Sequence, residues 1–186
     1  MKVKVGISNR HVHLCNEDYK LLFNDIPLTK RNDLTQPGTY ACNETVTIKG
    51  EKRSIENVRV LGPLRDYTHV EISKTGAYFL GIDPPVRSSG SLDGAGLITI
   101  IGPLGQITKN CAIIAERHIH VDKKIREEYG LVGIGKVSVR VFGDKGGIIN
   151  NVHLKDSDEA YFELHLDTDD ANAFLLNQND IVEIIL

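Results

Sequence analysis

Apolar residues along this chain recur mostly at every second position, in short runs broken by Gly, Pro, Asn and Asp. Runs rich in Val, Ile, Thr and Tyr at 2–8, 45–49, 57–61, 68–73, 97–101, 111–115, 136–142, 149–154, 161–166 and 181–186 predict strands. Between them stand turn-forming separators such as Gln36-Pro37-Gly38, Gly62-Pro63, Gly102-Pro103-Leu104-Gly105 and Asp144-Lys145-Gly146-Gly147. Helical spacing is confined to about 16–24, 122–129 and 169–177. Many short strands with frequent turns and few helices predict a mainly β fold built as barrels or sandwiches.

Two of the strand patterns are copies of one another. The chain reads Arg10-His11-Val12-His13-Leu14 near its start and Arg117-His118-Ile119-His120-Val121 past its middle. In a strand, residues i and i+2 share a face, so each His-x-His aims two imidazoles at one point. Neutral imidazole is a preferred ligand of zinc and its neighbours. Each copy is followed by a helical stretch with a capping Asn or Asp, Asn16 in the first and Asp122 in the second, and the second helix should stop at Gly130. A further alignment sets Val70-Glu71-Ile72 against Leu164-His165-Leu166, each followed by a Thr, an Ala-bearing helical turn and Phe-Leu. Zinc asks for at least three protein ligands, and the alignment supplies two triads: His11, His13, Glu71 and His118, His120, His165. Each would leave positions open, as a catalytic metal requires. Glu71 also reads as an exposed strand carboxylate.

Composition and charge narrow the chemistry. A net charge of −3 over 186 residues carries no basic footprint for nucleic acid. Cys15, Cys42 and Cys111 are odd in number and widely spaced, which suits a reducing compartment rather than a disulfide framework. Cys15 stands close to His13, yet reads most simply as a small buried apolar residue. Neither a secretory leader nor a membrane-spanning run is visible, so the expected location is the cytoplasm.

Nucleophile and nucleotide motifs are missing. Ser88-Ser89-Gly90-Ser91 lacks the context of a nucleophile elbow and reads as a flexible turn, and Gly133-Ile134-Gly135 reads as another turn. A cation near the first triad is supplied by Arg65, which follows Gly62-Pro63-Leu64, a rigid turn, six residues before Glu71. A guanidinium matches phosphate or carboxylate, and beside a Lewis acid it makes an oxyanion site; alone it would read as a solvated surface Arg. No activated Ser or Cys motif is visible to form a covalent acyl-enzyme. The residues leave open a metal-dependent thioester or phosphoester hydrolase and a non-catalytic metal-stabilised module.

Ser8-Asn9-Arg10-His11-Val12-His13-Leu14, Leu61-Gly62-Pro63-Leu64-Arg65, Val70-Glu71-Ile72-Ser73, Arg117-His118-Ile119-His120 and Leu164-His165-Leu166-Asp167-Thr168-Asp169 together resemble the PduL-type phosphotransacylases, also called phosphate propanoyltransferases. The resemblance covers nearly the whole chain. It implies two β-barrel domains with short capping helices, the N-terminal strand joining the C-terminal barrel: residues 1–30 with 116–186, and 31–115. It implies two zinc ions, or another divalent transition metal, at a di-zinc site that interconverts acyl-CoA (acetyl- or propanoyl-CoA) plus phosphate with acyl phosphate plus coenzyme A. His11, His13 and Glu71 would take the zinc that meets the coenzyme A sulfur; His118, His120 and His165 would take the second. Arg65 matches the phosphate-binding and catalytic arginine, and Ile7, Ser8, Asn9 and Asn172 fall where the family contacts coenzyme A. The partners implied are acyl-CoA, coenzyme A, phosphate and acyl phosphate, with a homodimer admitted and neither nucleic acid nor membrane. The chain departs from the family at His69, where Gln is usual. It also starts nine residues before Arg10, which is too short for the extension that sends some members to microcompartments. His153 matches nothing and is expected on the surface.

Overall fold

The computed structural model describes residues 1–24, 26–157 and 161–186. In chain order its elements are β1 (Lys2–Ser8), β2 (His11–Cys15), α1 (Asn16–Phe23), β3 (Lys30–Asp33), β4 (Tyr40–Lys49), β5 (Ser54–Arg65), β6 (His69–Glu71), α2 (Lys74–Leu80), β7 (Val86–Arg87) and β8 (Gly96–Ile101). There follow β9 (Gln106–Ala115), β10 (His118–Val121), α3 (Lys123–Glu128), β11 (Lys136–Val141), β12 (Gly147–Asp156), β13 (Glu163–Asp167), α4 (Thr168–Ala173) and β14 (Ile181–Ile185). The fold is mainly β, as the alternation predicts. Two compact units divide it: Met1–Asn9 with Glu116–Leu186, and Arg10–Ala115.

The terminal unit is a closed barrel in the order β1-β13-β10-β12-β11-β14. β1 closes it by running parallel to β13 and antiparallel to β14. In β1, Val3 and Val5 are buried and Lys2 and Lys4 exposed, so period-2 alternation seats one face in the core. Ile119, Leu164, Leu166, Val139 and Ile184 fill the same interior.

The central unit closes a second ring through β4-β5-β2-β6-β9, with β8 pairing both β9 and β4; β3 and β7 extend it at β4 and β9. Val12, Leu14, Ile48, Val60 and Ile100 form its core, joined by Leu22 and Phe23 of α1 and Leu80 of α2. The two rings repeat one pattern. β2 runs parallel to β5 and antiparallel to β6, and β10 runs parallel to β12 and antiparallel to β13. A short helix follows each of β2, β6, β10 and β13.

The structure corrects several expectations. Residues 10–24 and 26–30 lie in the central unit, so the boundary falls after Asn9 and not after residue 30. The reason is pairing: of the elements before β3, only β1 hydrogen-bonds β13 and β14, whereas β2 bonds β5 and β6 and α1 buries its apolar face in the central core. Asn16 is the first helical residue, not the cap; Cys15 holds the cap position and makes no side-chain capping bond. Asp122 does cap α3, accepting from the Ile125 amide at 2.8 Å. Gly62-Pro63, a cis peptide, lies inside β5 rather than in a turn. β5 absorbs it through a register shift, with His13 opposite Leu61 but Cys15 opposite Arg65. Among the described residues, no helix is long and apolar enough to cross a membrane.

Candidate functional site

Strand register brings the C-terminal triad together. Across the antiparallel pair β10 and β13, His118 stands opposite His165 and His120 opposite Glu163. His118 and His120 are buried, and the ligand atoms of His118, His120 and His165 all lie within 4.8 Å of one another. Their ring centroids are 4.9–5.1 Å apart. The His118 Nδ1 donates to the Glu116 carbonyl at 2.8 Å, which fixes the proton there and turns the Nε2 lone pair outward for a ligand. Burial, reinforced by the charges of His118 and His165, lowers His120 to about 3, so it is neutral at physiological pH, the form a metal binds. Behind His165, its Nε2 lies 2.8 Å from the Tyr161 hydroxyl and 3.1 Å from Glu163 Oε2, and Tyr161 donates to the same carboxylate oxygen.

The central triad has the same frame with different chemistry. His11 stands opposite Glu71 and His13 opposite His69 across β2 and β6. All four are buried, which sets aside the exposed-carboxylate reading of Glu71. His11 Nε2 is 3.5 Å from Glu71 Oε2, while Glu71 Oε1 takes a 2.9 Å bond from His69 Nε2. His13 Nδ1 is buried with no hydrogen-bond partner, and when it carries no proton its lone pair is one that a bound cation would engage. Burial, then the charges of His11, Arg65 and His69, hold His13 well below the usual range. Burial would raise Glu71, yet the His11 charge and the bond from His69 outweigh it and hold the carboxyl well below the ordinary carboxylate range. Two imidazoles and a carboxylate are a fitting donor set for zinc, as are the three imidazoles of the other barrel.

Arg65 ends β5, and its Nη1 is 3.4 Å from Ser89 Oγ. Its charge acts on both His13 and His69, so the guanidinium belongs to the central cluster. Ser89 Oγ is in turn 3.3 Å from His69 Nε2 and also bonds Glu71. The segment expected to be a free turn thus meets the site. Gly90 (φ +94°) holds that segment against Tyr67, whose hydroxyl would be 2.6 Å from a β-carbon there.

The four residues expected near coenzyme A all lie in the terminal unit. Ile7 and Ser8 pair with Leu166 and Asp167 at the end of β13, and Asp167 caps α4, which carries Asn172. Asn9 and Asn172 are exposed, and the Ile7 amide donates to Gln178 Oε1 at 2.8 Å. Arg117 does not enter the triad; it grips Asp170 through Nε and Nη2 at 2.8 and 2.6 Å and fastens α4. His153 is half-buried rather than free on the surface, with Nε2 3.3 Å from Glu116 Oε2. Cys15 is half-buried too and accepts from the Thr68 hydroxyl at 3.4 Å.

Register also exposes a repeat that motif reading passes over. Tyr67-Thr68-His69-Val70-Glu71 and Tyr161-Phe162-Glu163-Leu164-His165 occupy equivalent places, with histidine and glutamate exchanged. Extending the Glu71–His165 alignment four residues back would have revealed it.

A family model described as phosphate propanoyltransferase matches residues 4–177. A phosphate propanoyltransferase of Thermotoga maritima is 50% identical over 184 residues, covering 97% of this chain and 88% of the relative. One from Rhodopseudomonas palustris is 43% identical, covering 98% and 82%. One from Salmonella typhimurium is 42% identical, covering 92% and 82%.

Proposed function

The chain belongs to the phosphate propanoyltransferase family, and we propose that it interconverts acetyl- or propanoyl-CoA plus phosphate with acyl phosphate plus coenzyme A, using two zinc ions, one held by each barrel. The observation that carries the reading is the placement of Arg65 in one hydrogen-bonded cluster with the carboxylate of the His11, His13 and Glu71 triad.

Arg65 presents a planar fork with the geometry of a phosphate edge. Phosphate held there has a lone pair beside the acyl carbon. A bond forms from a phosphate oxygen to that carbon, and the carbon–sulfur bond breaks to release the thiolate of coenzyme A. His11, His13 and Glu71 would hold one ion, and His118, His120 and His165 the other. When bound, zinc supplies positive charge that polarises a carbonyl oxygen and steadies a thiolate. Burial keeps His13 and His120 uncharged, so neither repels a cation at neutral pH. Ile7, Ser8, Asn9 and Asn172 are the residues we assign to coenzyme A. The three cysteines, all without disulfides, suit a cytoplasmic enzyme.

The test is loss of the acetyl-CoA thioester with and without phosphate. Phosphate-dependent loss with acyl phosphate as product is expected. Thioester loss at the same rate without phosphate would make the protein a hydrolase and overturn the reading.

A further inference from the structure

Glu71 uses its two carboxylate oxygens differently. Oε2 faces His11 at 3.5 Å, and Oε1 faces away from it to His69 at 2.9 Å. His69 is fully buried and stacked on His13 with ring centroids 4.7 Å apart, so its ring cannot swing. Its Nδ1 has no hydrogen-bond partner. The proton therefore sits on Nε2, where a carboxylate accepts it, since a buried bare lone pair costs less than a buried N–H without an acceptor. Ser89 completes the arrangement. Its hydroxyl accepts from Arg65 at 3.4 Å and lies against both His69 and Glu71.

The other barrel repeats the plan with the two residue types exchanged. There the residue opposite the first histidine is His165, and the one opposite the second is Glu163, which bonds His165 from behind. Glu163 stands where His69 stands. Twice, then, the residue two positions before the third candidate ligand, on the same strand face, is its hydrogen-bond partner. The contact is thus made in both barrels with acid and imidazole exchanged.

We propose that His69 and Ser89 are positioning residues: His69 holds Glu71 so that only one oxygen turns to the metal, and Ser89 links that pair to Arg65, setting the metal ligand and the phosphate fork relative to one another. The proposal rests on the metal and phosphate reading above. Outer partners of this kind typically change metal affinity about 10–100-fold.

The experiment is a cobalt titration of the metal-stripped chain, followed by visible absorption, with thermal melts to show that each variant is folded. His69→Leu should weaken one of the two ions about 10–100-fold. His69→Gln, whose side-chain amide can donate the same bond, should stay within about threefold of the parent. Ser89→Ala should keep cobalt affinity and raise the KM for phosphate several-fold. His11→Ala is the control, expected to abolish that ion. If His11→Ala abolishes it and His69→Leu binds normally, the positioning role is overturned while the metal reading stands. If His69→Leu and His69→Gln both lose the ion as fully as His11→Ala, His69 is a ligand and the proposal is again overturned. If His11→Ala binds cobalt as the parent does, the metal reading falls and takes the proposal with it. An unchanged KM for phosphate in Ser89→Ala overturns the link to Arg65.

Discussion

Gly6 stands opposite His165 across the parallel strands β1 and β13, and a β-carbon built on Gly6 would come within 3.0 Å of the His165 ring and 2.9 Å of the Glu163 carboxylate. No left-handed backbone is involved; the glycine is there because the buried Glu163 carboxylate and the half-buried His165 ring occupy the space. Gly6→Ala should push His165 out of line with His118 and His120. The expected outcome is loss of metal affinity of about tenfold or more at that triad, with a stability cost of about 1–3 kcal/mol from overpacking. Zinc competition and a denaturant melt on the same sample check both numbers. Normal affinity in the alanine variant would show that the ring has room to move.

Arg65→Lys keeps the charge and loses the fork. Lysine cannot make two parallel bonds to one phosphate edge, and it also gives up the geometry of the Ser89 contact. Turnover should fall about 10–100-fold and the KM for phosphate should rise, whereas the KM for acyl-CoA should hold. Steady-state kinetics with each substrate varied in turn decides it. A rise confined to acyl-CoA would move Arg65 out of the phosphate site.

Much of this was legible in the sequence, and the reasons differ by feature. The two His-x-His strands show themselves because period-2 geometry converts a local spacing into a shared face. Glu71 and His165 could be aligned because the helical turns after them match, and register then places both opposite the first histidine of their partner strand. The unit boundary was not legible. Nothing in Ser8-Asn9-Arg10-His11 marks a break, because which barrel a strand joins depends on pairing with residues more than a hundred positions away for β1 and about fifty away for β2. β5 reads as shorter than it is, since Gly62-Pro63 is a turn signal by composition and lies in the strand by tertiary pairing. Ser89 looked like loop filler because its partners, Arg65 and His69, are 24 and 20 residues away in sequence.

Asp18, which belongs to neither triad, gives a pH prediction. It is buried on α1 and receives Lys109 Nζ at 2.7 Å, with Thr68 and Cys15 as further polar neighbours. Burial alone would raise its pKa; the Lys109 bond and the other two outweigh this and lower it. A folded-state pKa below the unfolded one means the unfolded chain binds more protons in that window. The stability it contributes is present above the ordinary Asp value and is lost as pH falls through the lower folded value. Asp18→Asn should therefore lower stability by about 1–2 kcal/mol at neutral pH, a modest figure because Lys109 is partly solvated. The gap between variant and parent should close as the pH is taken below 3.8. Chemical melts across pH 2–7 measure it, and a gap that widens on acidification would contradict the sign.

The last prediction concerns Glu163 and Tyr161. Their contacts converge on a single nitrogen, His165 Nε2, and Glu163 is itself buried and bonded by Tyr161. A carboxylate that takes the imidazole proton fixes the tautomer and ring plane and makes the other nitrogen more basic toward a metal. Glu163→Gln removes the charge but leaves the shape, so the fold should persist while affinity at the C-terminal triad drops about 10–100-fold. Tyr161→Phe removes the hydroxyl that both bonds the carboxylate and lies 2.8 Å from His165 Nε2, but keeps the Glu163 charge, so it should give a smaller loss in the same direction, about threefold to tenfold. Because Tyr161 and Glu163 act through one bond chain, the double variant should lose little more than Glu163→Gln alone. Cobalt or zinc affinities of the four proteins form a complete cycle. Additive losses would mean that the tyrosine reaches the triad by a route of its own, and no loss in Glu163→Gln would leave His165 held by packing against Gly6 and its strand neighbours.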